Sequence, residues 1–164
     1  SHPDLYESYE GDPYSHACTI RRIIDDSIVN PKHILQVGIR AATAEHLDYA
    51  RNKGICILST SDVYKMSAKE ISLIIKKILR SIDNIYVSFD VDVLDPAFAP
   101  GVGNPEGGGV TLRNLIDIIH DLKGLNIQAF DVVEANPDYD CAGITFYSIS
   151  KFVRELLGVT ASKL

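Results

Sequence analysis

The chain has 164 residues, enough for one domain with its own core and too few for two domains of ordinary size. Hydrophobic residues make up 46% and charged residues 23%, which is typical of a globular protein and argues against disorder. The net charge of −6 disfavours nucleic acids and anionic membranes as partners, because their phosphates would be repelled. The acidic excess suits a metal cation or a cationic small molecule instead.

The cysteine pattern and the first residues bear on the compartment. Cys18, Cys56 and Cys141 are far apart and form no C-x-x-C pair, so we expect reduced thiols rather than a disulfide framework. The opening residues lack the basic and apolar segments of a signal peptide, and no apolar run approaches the roughly 20 residues of a membrane helix. These features predict a cytoplasmic protein.

Apolar periodicity predicts helices and strands in alternation. In chain order we expect a helix over 17–28, a strand over 33–39, a helix over 44–53 and a strand over 54–58. A helix that begins after Ser67, with Glu70 completing a capping box, leads to a strand over 84–89. A helix capped by Thr111, a strand over 126–133 and a final helix over 143–157 complete the series.

Buried strands separated by single helices indicate βαβ units. They predict the α/β class, with a parallel sheet and helices on both of its faces in three layers. Ligands of such sheets bind where the strands end at their carboxyl edges. The candidate site residues are therefore the polar residues that follow apolar runs.

The strongest local signal is the segment 88–109, SFDVDVLDPAFAPGVGNPEGGG. Asp90 and Asp92 end a predicted strand two residues apart, and alternation along a strand would point both carboxylates the same way. Adjacent anions raise each other's pKa unless a cation lies between them. A strand that ends in solvated acids is the alternative, but the long Gly- and Pro-rich loop that follows favours a functional site.

His2 and Asp4 form a second pair, also two residues apart. They would face one way if a strand led into Ser1. One imidazole with carboxylates suits Mn, Fe or Zn, whereas Mg and Ca prefer oxygen ligands alone. By itself this pair is a weak signal, since a frayed terminus or a cloning residue explains it better. Together with Asp90 and Asp92 it predicts a metal site.

Two further residues are placed for a role in the same crevice. His16 stands at the start of a helix after a polar turn, and Glu134 follows the strand that ends at Val133. A carboxylate at the carboxyl end of a strand can anchor a cation. For His16 a local helix cap or a solvated side chain stays open as the alternative, and for Glu134 an exposed loop acid.

These segments resemble the ureohydrolase family. SFDVDVLDPAFAPG at 88–101 resembles the signature of that family, and SHPD at 1–4 resembles the end of its D-A-H-x-D metal motif. YEGDPYSHAC at 9–18 with the following Arg21 and Arg22, VGIR at 37–40, and DVVEANPDYD at 131–140 with AGIT after it resemble the agmatinase branch in particular. The motifs cover nearly the whole chain in the order in which the family has them.

The resemblance implies an arginase-like fold, a pair of Mn²⁺ ions and hydrolysis of agmatine to putrescine and urea. By position it implies that Asp90 bridges the two ions, that His16 moves protons near the leaving amine and that Glu134 holds the guanidinium. It also implies a homo-oligomer, a trimer or hexamer. The metal ligands that it implies are His2, Asp4, Asp90 and Asp92.

The chain also departs from the family pattern. The upstream Gly-Gly-Asp-His segment and the first Asp of D-A-H-x-D have no counterpart here. We therefore expect residues 1–164 to be the C-terminal portion of a single ureohydrolase domain, inactive by itself. Asn104 and Gly107 stand where the family has Thr and Pro, which changes the shape of the pocket.

The substrate prediction depends on the loop between Asp4 and His16. This loop carries Glu7, Glu10 and Asp12 and no cation, which favours a substrate that ends in an ammonium group; Glu7 is expected to help bind it. Arginine and guanidinobutyrate remain alternative substrates. A non-catalytic remnant that serves as a binding or assembly module is the alternative from a different class.

Overall fold

The computed structural model describes residues 1–161, in which helices and strands alternate as the sequence predicts. This alternation confirms the α/β class. The strands are β1 (Leu35–Ile39), β2 (Cys56–Ser59), β3 (Ile85–Asp90) and β4 (Ile127–Val133). The helices are α1 (Thr19–Asp25), α2 (Ala44–Lys53), α3 (Thr60–Lys65), α4 (Ala68–Leu79), α5 (Leu112–His120) and α6 (Ile144–Ala161). Single 3₁₀ turns occupy His16–Cys18, Pro31–His33, Val91–Val93 and Pro137–Tyr139.

The strands pair in parallel, as expected, but in two separate ladders. β1 pairs with β2 and β3 pairs with β4, so the described residues form two two-stranded sheets rather than one continuous sheet. The first residues of the chain lie between the two pairs. The Ser1 carbonyl accepts hydrogen bonds from the Arg40 and Ala41 amides beyond β1, and the Ser1 amino group contacts Asp90 at the end of β3. The carboxyl ends of both sheets therefore meet at this segment.

Side-chain caps define where the helices begin. Ser67 and Glu70 form the expected capping box at the start of α4, and Thr111 forms one with Asn114 at the start of α5. The short helix α3 is absent from the sequence-based prediction, although Ser59 and Asp62 form the same kind of box at its start. The S-x-x-D spacing was the signal that would have revealed it.

Several predicted elements differ from the structure at their ends, and β2, expected over 54–58, is Cys56–Ser59. The helix expected over 17–28 begins with the 3₁₀ turn His16–Cys18 and ends at Asp25, and Ser27 then adopts a φ of 57°. The strand expected from residue 33 begins at Leu35, because Asn30 caps a 3₁₀ turn with Pro31 at its first position. The last helix extends to Ala161, beyond the predicted end.

The main apolar core lies between β3–β4 and helices α4, α5 and α6. Phe89 of β3 stacks on Phe152 of α6 with ring centroids 3.9 Å apart, while Ile71, Leu115 and Leu156 are buried around them. Burial of one such side chain contributes about 1.5–3 kcal/mol to folding. This core holds the two strands whose carboxyl ends carry the predicted site residues.

The structure also describes the cysteines and the lengths of the apolar helices. The three cysteines are free, and Cys18 is fully buried. Within residues 1–161, no helix is long and apolar enough to cross a membrane.

Candidate active site

A cavity of about 160 Å³ opens at the carboxyl ends of β3 and β4. It is lined by six of the seven residues singled out from the sequence: His2, Asp4, His16, Asp90, Asp92 and Glu134. A second cavity, about 190 Å³, lies between the starts of α4 and α5, and Asp117 is its only acidic lining residue among those described. The chemistry-bearing side chains therefore gather at the first cavity.

Asp90 and Asp92 reach the cavity by a different geometry from the expected one. Asp90 is the last residue of β3, but the chain then turns through the 3₁₀ segment Val91–Val93, so strand alternation does not orient Asp92. The Asp90 carboxylate instead caps this turn by accepting a hydrogen bond from the Asp92 amide at 3.2 Å. The backbone nitrogen of Ser1 contacts Asp92 and lies 3.3 Å from the Asp90 carboxylate, so both side chains meet at the first residue.

His2 and Asp4 also lie at the cavity without the strand that was expected to carry them. Residues 1–4 are irregular, and Asp4 has a φ of 52°. His2 Nδ1 lies 2.9 Å from Asp92 Oδ2. This is a hydrogen-bond distance, and it brings the two side chains together at the cavity.

The electrostatics of the cavity reflect an excess of buried negative charge. Burial raises the pKa of Asp4 to about 7, and the Asp90 carboxylate adds to this effect. Burial, together with repulsion from Asp92, raises the pKa of Asp90 to about 6. Burial opposes ionisation of Asp92 too, but hydrogen bonds from His2 and the Ser1 ammonium hold its pKa well below the usual value. A cation in the cavity would relieve this repulsion.

The kinds of side chain at the cavity suit a divalent metal of borderline softness. One imidazole and three carboxylates suit Mn, Fe or Zn better than Mg or Ca. Within residues 1–161, however, no three His, Cys, Asp or Glu side chains lie close enough together to hold a metal ion. The described residues thus supply fitting ligand types, but they do not form a complete ligand shell.

Backbone strain marks two of the cavity residues. Asp4 and Glu134 both adopt positive φ angles, 52° and 66°, a region that side chains other than Gly rarely occupy. Such conformations cost about 1–3 kcal/mol each and cluster at functional sites. Glu134 follows β4 directly, and an antiparallel bridge between Val102 and Ala135 holds the chain just beyond it.

His16 and Glu7, the other residues of the predicted site, are placed differently. His16 belongs to the 3₁₀ turn that Ser15 caps, is exposed, and lies with its ring 6.2 Å from that of Tyr9. Glu7 does not line the cavity. Its side chain is 82% exposed, and its carboxylate lies 3.9 Å from the Arg21 guanidinium.

Sequence reasoning missed several cavity residues, of which His46 is the most informative. His46 is buried, its Nδ1 accepts a hydrogen bond from the Thr43 amide, and its ring meets Tyr6 edge-on at 4.2 Å. Its Nε2 is buried without a hydrogen-bond partner among the described residues. The rule that singled out Glu134 could not find His46, because His46 lies in the first turn of α2 rather than directly after a strand. Tyr6, Tyr9 and Ala41 also line the cavity.

The chain is similar to known proteins over nearly all of its length. It is 38% identical to an agmatinase of Bacillus anthracis over 161 residues, which cover 96% of this chain and 52% of that enzyme. It is 40% identical to arginase 1, mitochondrial, of Oryza sativa subsp. indica over 157 residues, covering 95% of this chain and 44% of the relative. The chain therefore spans about half the length of these curated relatives.

The fold has counterparts among solved structures as well. Proclavaminate amidino hydrolase from Streptomyces clavuligerus superposes with a TM-score of 0.89 at 33% identity, over 98% of this chain and 52% of that one. The fold is thus arginase-like, with parallel strands and helices that correspond to about half of the homologous chain. The model of the arginase family matches residues 1–158. The chain belongs to the arginase family of ureohydrolases.

Proposed function

We propose that this chain supplies half of a hydrolase for linear guanidines, and that its substrate is agmatine, which is cleaved to putrescine and urea. The observation that carries the proposal is the shared cavity of His2, Asp4, His16, Asp90, Asp92 and Glu134. Family membership supports the reaction class. The relatives include an agmatinase and an arginase at similar identity, so the choice of agmatine depends on the cavity itself.

Four side chains would hold the metal. His2, Asp4, Asp90 and Asp92 carry the ligand atoms and the buried negative charge that divalent cations would neutralise. The arginase family typically uses a binuclear manganese site, and we propose the same pair here, with Asp90 shared between the ions. Such a pair lowers the pKa of a shared water, so that a nucleophile is available near neutral pH.

Glu134 and His16 would act on the substrate. The Glu134 carboxylate would bind the guanidinium and hold its carbon toward the aspartates. Attack by water forms a C–O bond, the C–N bond to the alkyl amine then breaks to leave urea, and both protons of the water end on the amine, which departs as an ammonium ion. His16, exposed at the cavity wall, would deliver the proton that the leaving amine takes up.

The cavity lining favours a cationic tail over a carboxylate tail. Its described lining residues contain four carboxylates and neither Lys nor Arg. The carboxylate of arginine or guanidinobutyrate would meet only negative charge there, whereas the ammonium of agmatine would be attracted. Glu7 does not contribute to this negative charge, because it lies outside the cavity lining.

The residues described here would not be sufficient for catalysis. By the resemblance, His2, Asp90 and Asp92 would serve one ion, and Asp4 with Asp90 would serve the other, so both ligand sets would be incomplete. We therefore expect the 164-residue chain to bind at most about one Mn²⁺ per molecule, weakly, and to release no urea. Within residues 1–161 these side chains do not lie close enough together to hold an ion as they stand. A non-catalytic binding or assembly module is the second candidate function, because part of the family's metal motif has no counterpart in residues 1–164.

Urea release from the full-length protein tests the proposal. The Mn²⁺-loaded protein is assayed side by side with agmatine, arginine and guanidinobutyrate, with Glu134→Gln as the matched variant. We expect the highest kcat/KM for agmatine and a large loss in the variant. A preference for arginine would overturn the substrate assignment. No turnover of any guanidine, together with an intact mass of the native protein that begins at Ser1, would establish the non-catalytic module.

Assembly and compartment belong to the same proposal. We propose a homo-oligomer, a trimer or hexamer, in the cytoplasm, and no nucleic-acid or membrane partner. The rice relative is mitochondrial by its name, so family membership alone does not fix the compartment. Analytical ultracentrifugation of the native protein and localisation of a tagged copy measure both.

A further inference from the structure

The Arg40 side chain joins the end of β1 to the backbone around the cavity. Its Nη2 donates to the carbonyls of Asp92 at 2.8 Å, Leu94 at 3.3 Å and Glu106 at 2.6 Å. Its Nη1 donates to the Val93 carbonyl at 3.1 Å, and its Nε to the Glu106 carbonyl at 3.2 Å. One guanidinium therefore binds four carbonyls from two segments that are distant from Arg40 in sequence.

The first of these segments is the turn that carries Asp92. The carbonyls at the end of a 3₁₀ turn have no partner within the turn and need donors from elsewhere. Arg40 supplies such a donor to the backbone carbonyl of Asp92. The side chain of the same residue is the buried carboxylate that contacts His2. Gly38 lets β1 approach this closely, because a Cβ there would collide with Cγ2 of Val93.

The second segment is the loop that returns from the cavity. Val110 donates to the Val93 carbonyl at 3.1 Å, and Asp95 donates to the Val110 carbonyl at 3.0 Å. The Asp95 carboxylate accepts hydrogen bonds from the Gly108 and Gly109 amides at 3.0 Å each. The loop that presents Asn104 to the cavity is thus fastened on one side by these bonds and on the other by Arg40 at Glu106.

We propose that Arg40 is a positioning residue that holds the Asp92 turn and the 101–110 loop in one arrangement. It touches neither substrate nor metal in this proposal; it fixes the direction of the Asp92 carboxylate and the position of Asn104. A planar fork with five N–H donors suits this task, whereas the ammonium of Lys, with three donors on one atom, cannot reach the same four carbonyls. The effect on activity rests on the proposed function, but the effect on the backbone does not.

Arg40→Lys in the full-length protein tests this role, with Arg51→Lys as the matched control because Arg51 is 76% exposed and pairs only locally with Asp48. Two quantities are measured: the Mn²⁺ dissociation constant by calorimetry, and amide hydrogen exchange along the chain. We expect Arg40→Lys to weaken Mn²⁺ binding about 10- to 100-fold, the range for residues that orient metal ligands. Exchange should accelerate at the Asp95 and Val110 amides, while the control changes neither quantity.

The amides of α4 and α5 serve as the internal reference for global stability. Equal acceleration there would make Arg40 a general stability residue and overturn the proposal, as would unchanged exchange at Asp95 and Val110. Mn²⁺ affinity within about twofold of the wild-type value would also overturn it. If the wild-type protein binds no Mn²⁺, the proposed function fails, and the exchange pattern alone still decides the positioning role.

Discussion

The apolar core and the cavity are adjacent in this fold, but their residues affect stability in opposite ways. In the core, Phe89, Phe152 and Leu156 are buried against one another, and the flanking helices begin at regular side-chain caps. At the cavity, which begins with the next residue after Phe89, four carboxylates line one pocket and two residues adopt positive φ angles. The core contributes stability, whereas the cavity places charges in conformations that oppose it.

This contrast indicates that the cavity is not built to stabilise the fold. Buried carboxylates with raised pKa values and strained backbone persist only when the surrounding structure holds them in place. Here the core holds β3 and β4, and Arg40 holds the turn that follows β3. Substitutions in the two regions should therefore separate activity from stability.

The largest effect is expected at Asp90. Asp90→Ala removes the carboxylate proposed to bridge the metals, so urea release should fall by about a thousandfold or more, a loss comparable to that of a preorganised charge-stabilising group. Calorimetry should show loss of the second Mn²⁺. The melting temperature without metal should stay the same or rise, because repulsion with Asp92 is relieved. Asp117→Ala, an exposed acid on α5, is the control. An Asp90→Ala enzyme that keeps both metals and turns over normally would refute the bridging role.

A core substitution should show the reverse behaviour. Leu156 is fully buried on α6, so Leu156→Ala should lower the free energy of unfolding by about 2–5 kcal/mol through lost burial and the cavity that remains. The kcat per folded molecule should be unchanged. Leu157→Ala is the matched control, because the next residue of the same helix is 50% exposed. Chemical unfolding followed by circular dichroism measures both variants, and equal losses for the two would contradict the core assignment.

The two regions also differed in how far the sequence predicted them. Apolar spacing and capping residues located α2, α4 and α5 closely, because burial and caps follow local rules. The same spacing could not predict the Val91–Val93 turn or the positive φ of Glu134, since tertiary contacts impose both. The predicted Asp90–Asp92 pair gathered at the cavity although the strand alternation used to argue for it was wrong. The sequence could not show that Glu7 lies outside the cavity lining, because the composition of a loop does not determine the direction of each side chain.

An effect of intermediate size is expected at His46, which is buried and also lines the cavity. Burial lowers its pKa below 6.5, while nearby Glu45 acts in the opposite direction. The unfolded state therefore binds the proton more readily, and the contribution of His46 to stability is lost as the pH falls below 6.5. His46→Gln keeps an acceptor for the Thr43 amide but removes the titration. When the pH of the metal-free protein is lowered from 8 to 5, the free energy of unfolding should fall more, or rise less, in wild type than in this variant.

Comparing the variant with wild type separates the contribution of His46 to the pH dependence of stability from that of the cavity carboxylates. Asp4 and Asp90 have raised pKa values, so their contributions to stability fall as the pH rises, which is the opposite sign. His33→Gln, an exposed histidine in a 3₁₀ turn, is the control. An identical pH dependence for His46→Gln and wild type would show that burial of His46 is not coupled to folding.

The smallest effect is expected at Glu7, where sequence and structure disagree most. The sequence suggests that Glu7 attracts the ammonium of the substrate, but its side chain is 82% exposed and faces Arg21 at 3.9 Å. An exposed ion pair of this kind is worth about 0–1 kcal/mol, so Glu7→Ala should change the KM for agmatine by no more than about twofold. Glu134→Gln, measured in the same assay, should cost far more, because Glu134 lines the cavity. A rise in KM of about tenfold for Glu7→Ala, reduced by added salt, would place Glu7 at the substrate and extend the acidic cavity along its loop.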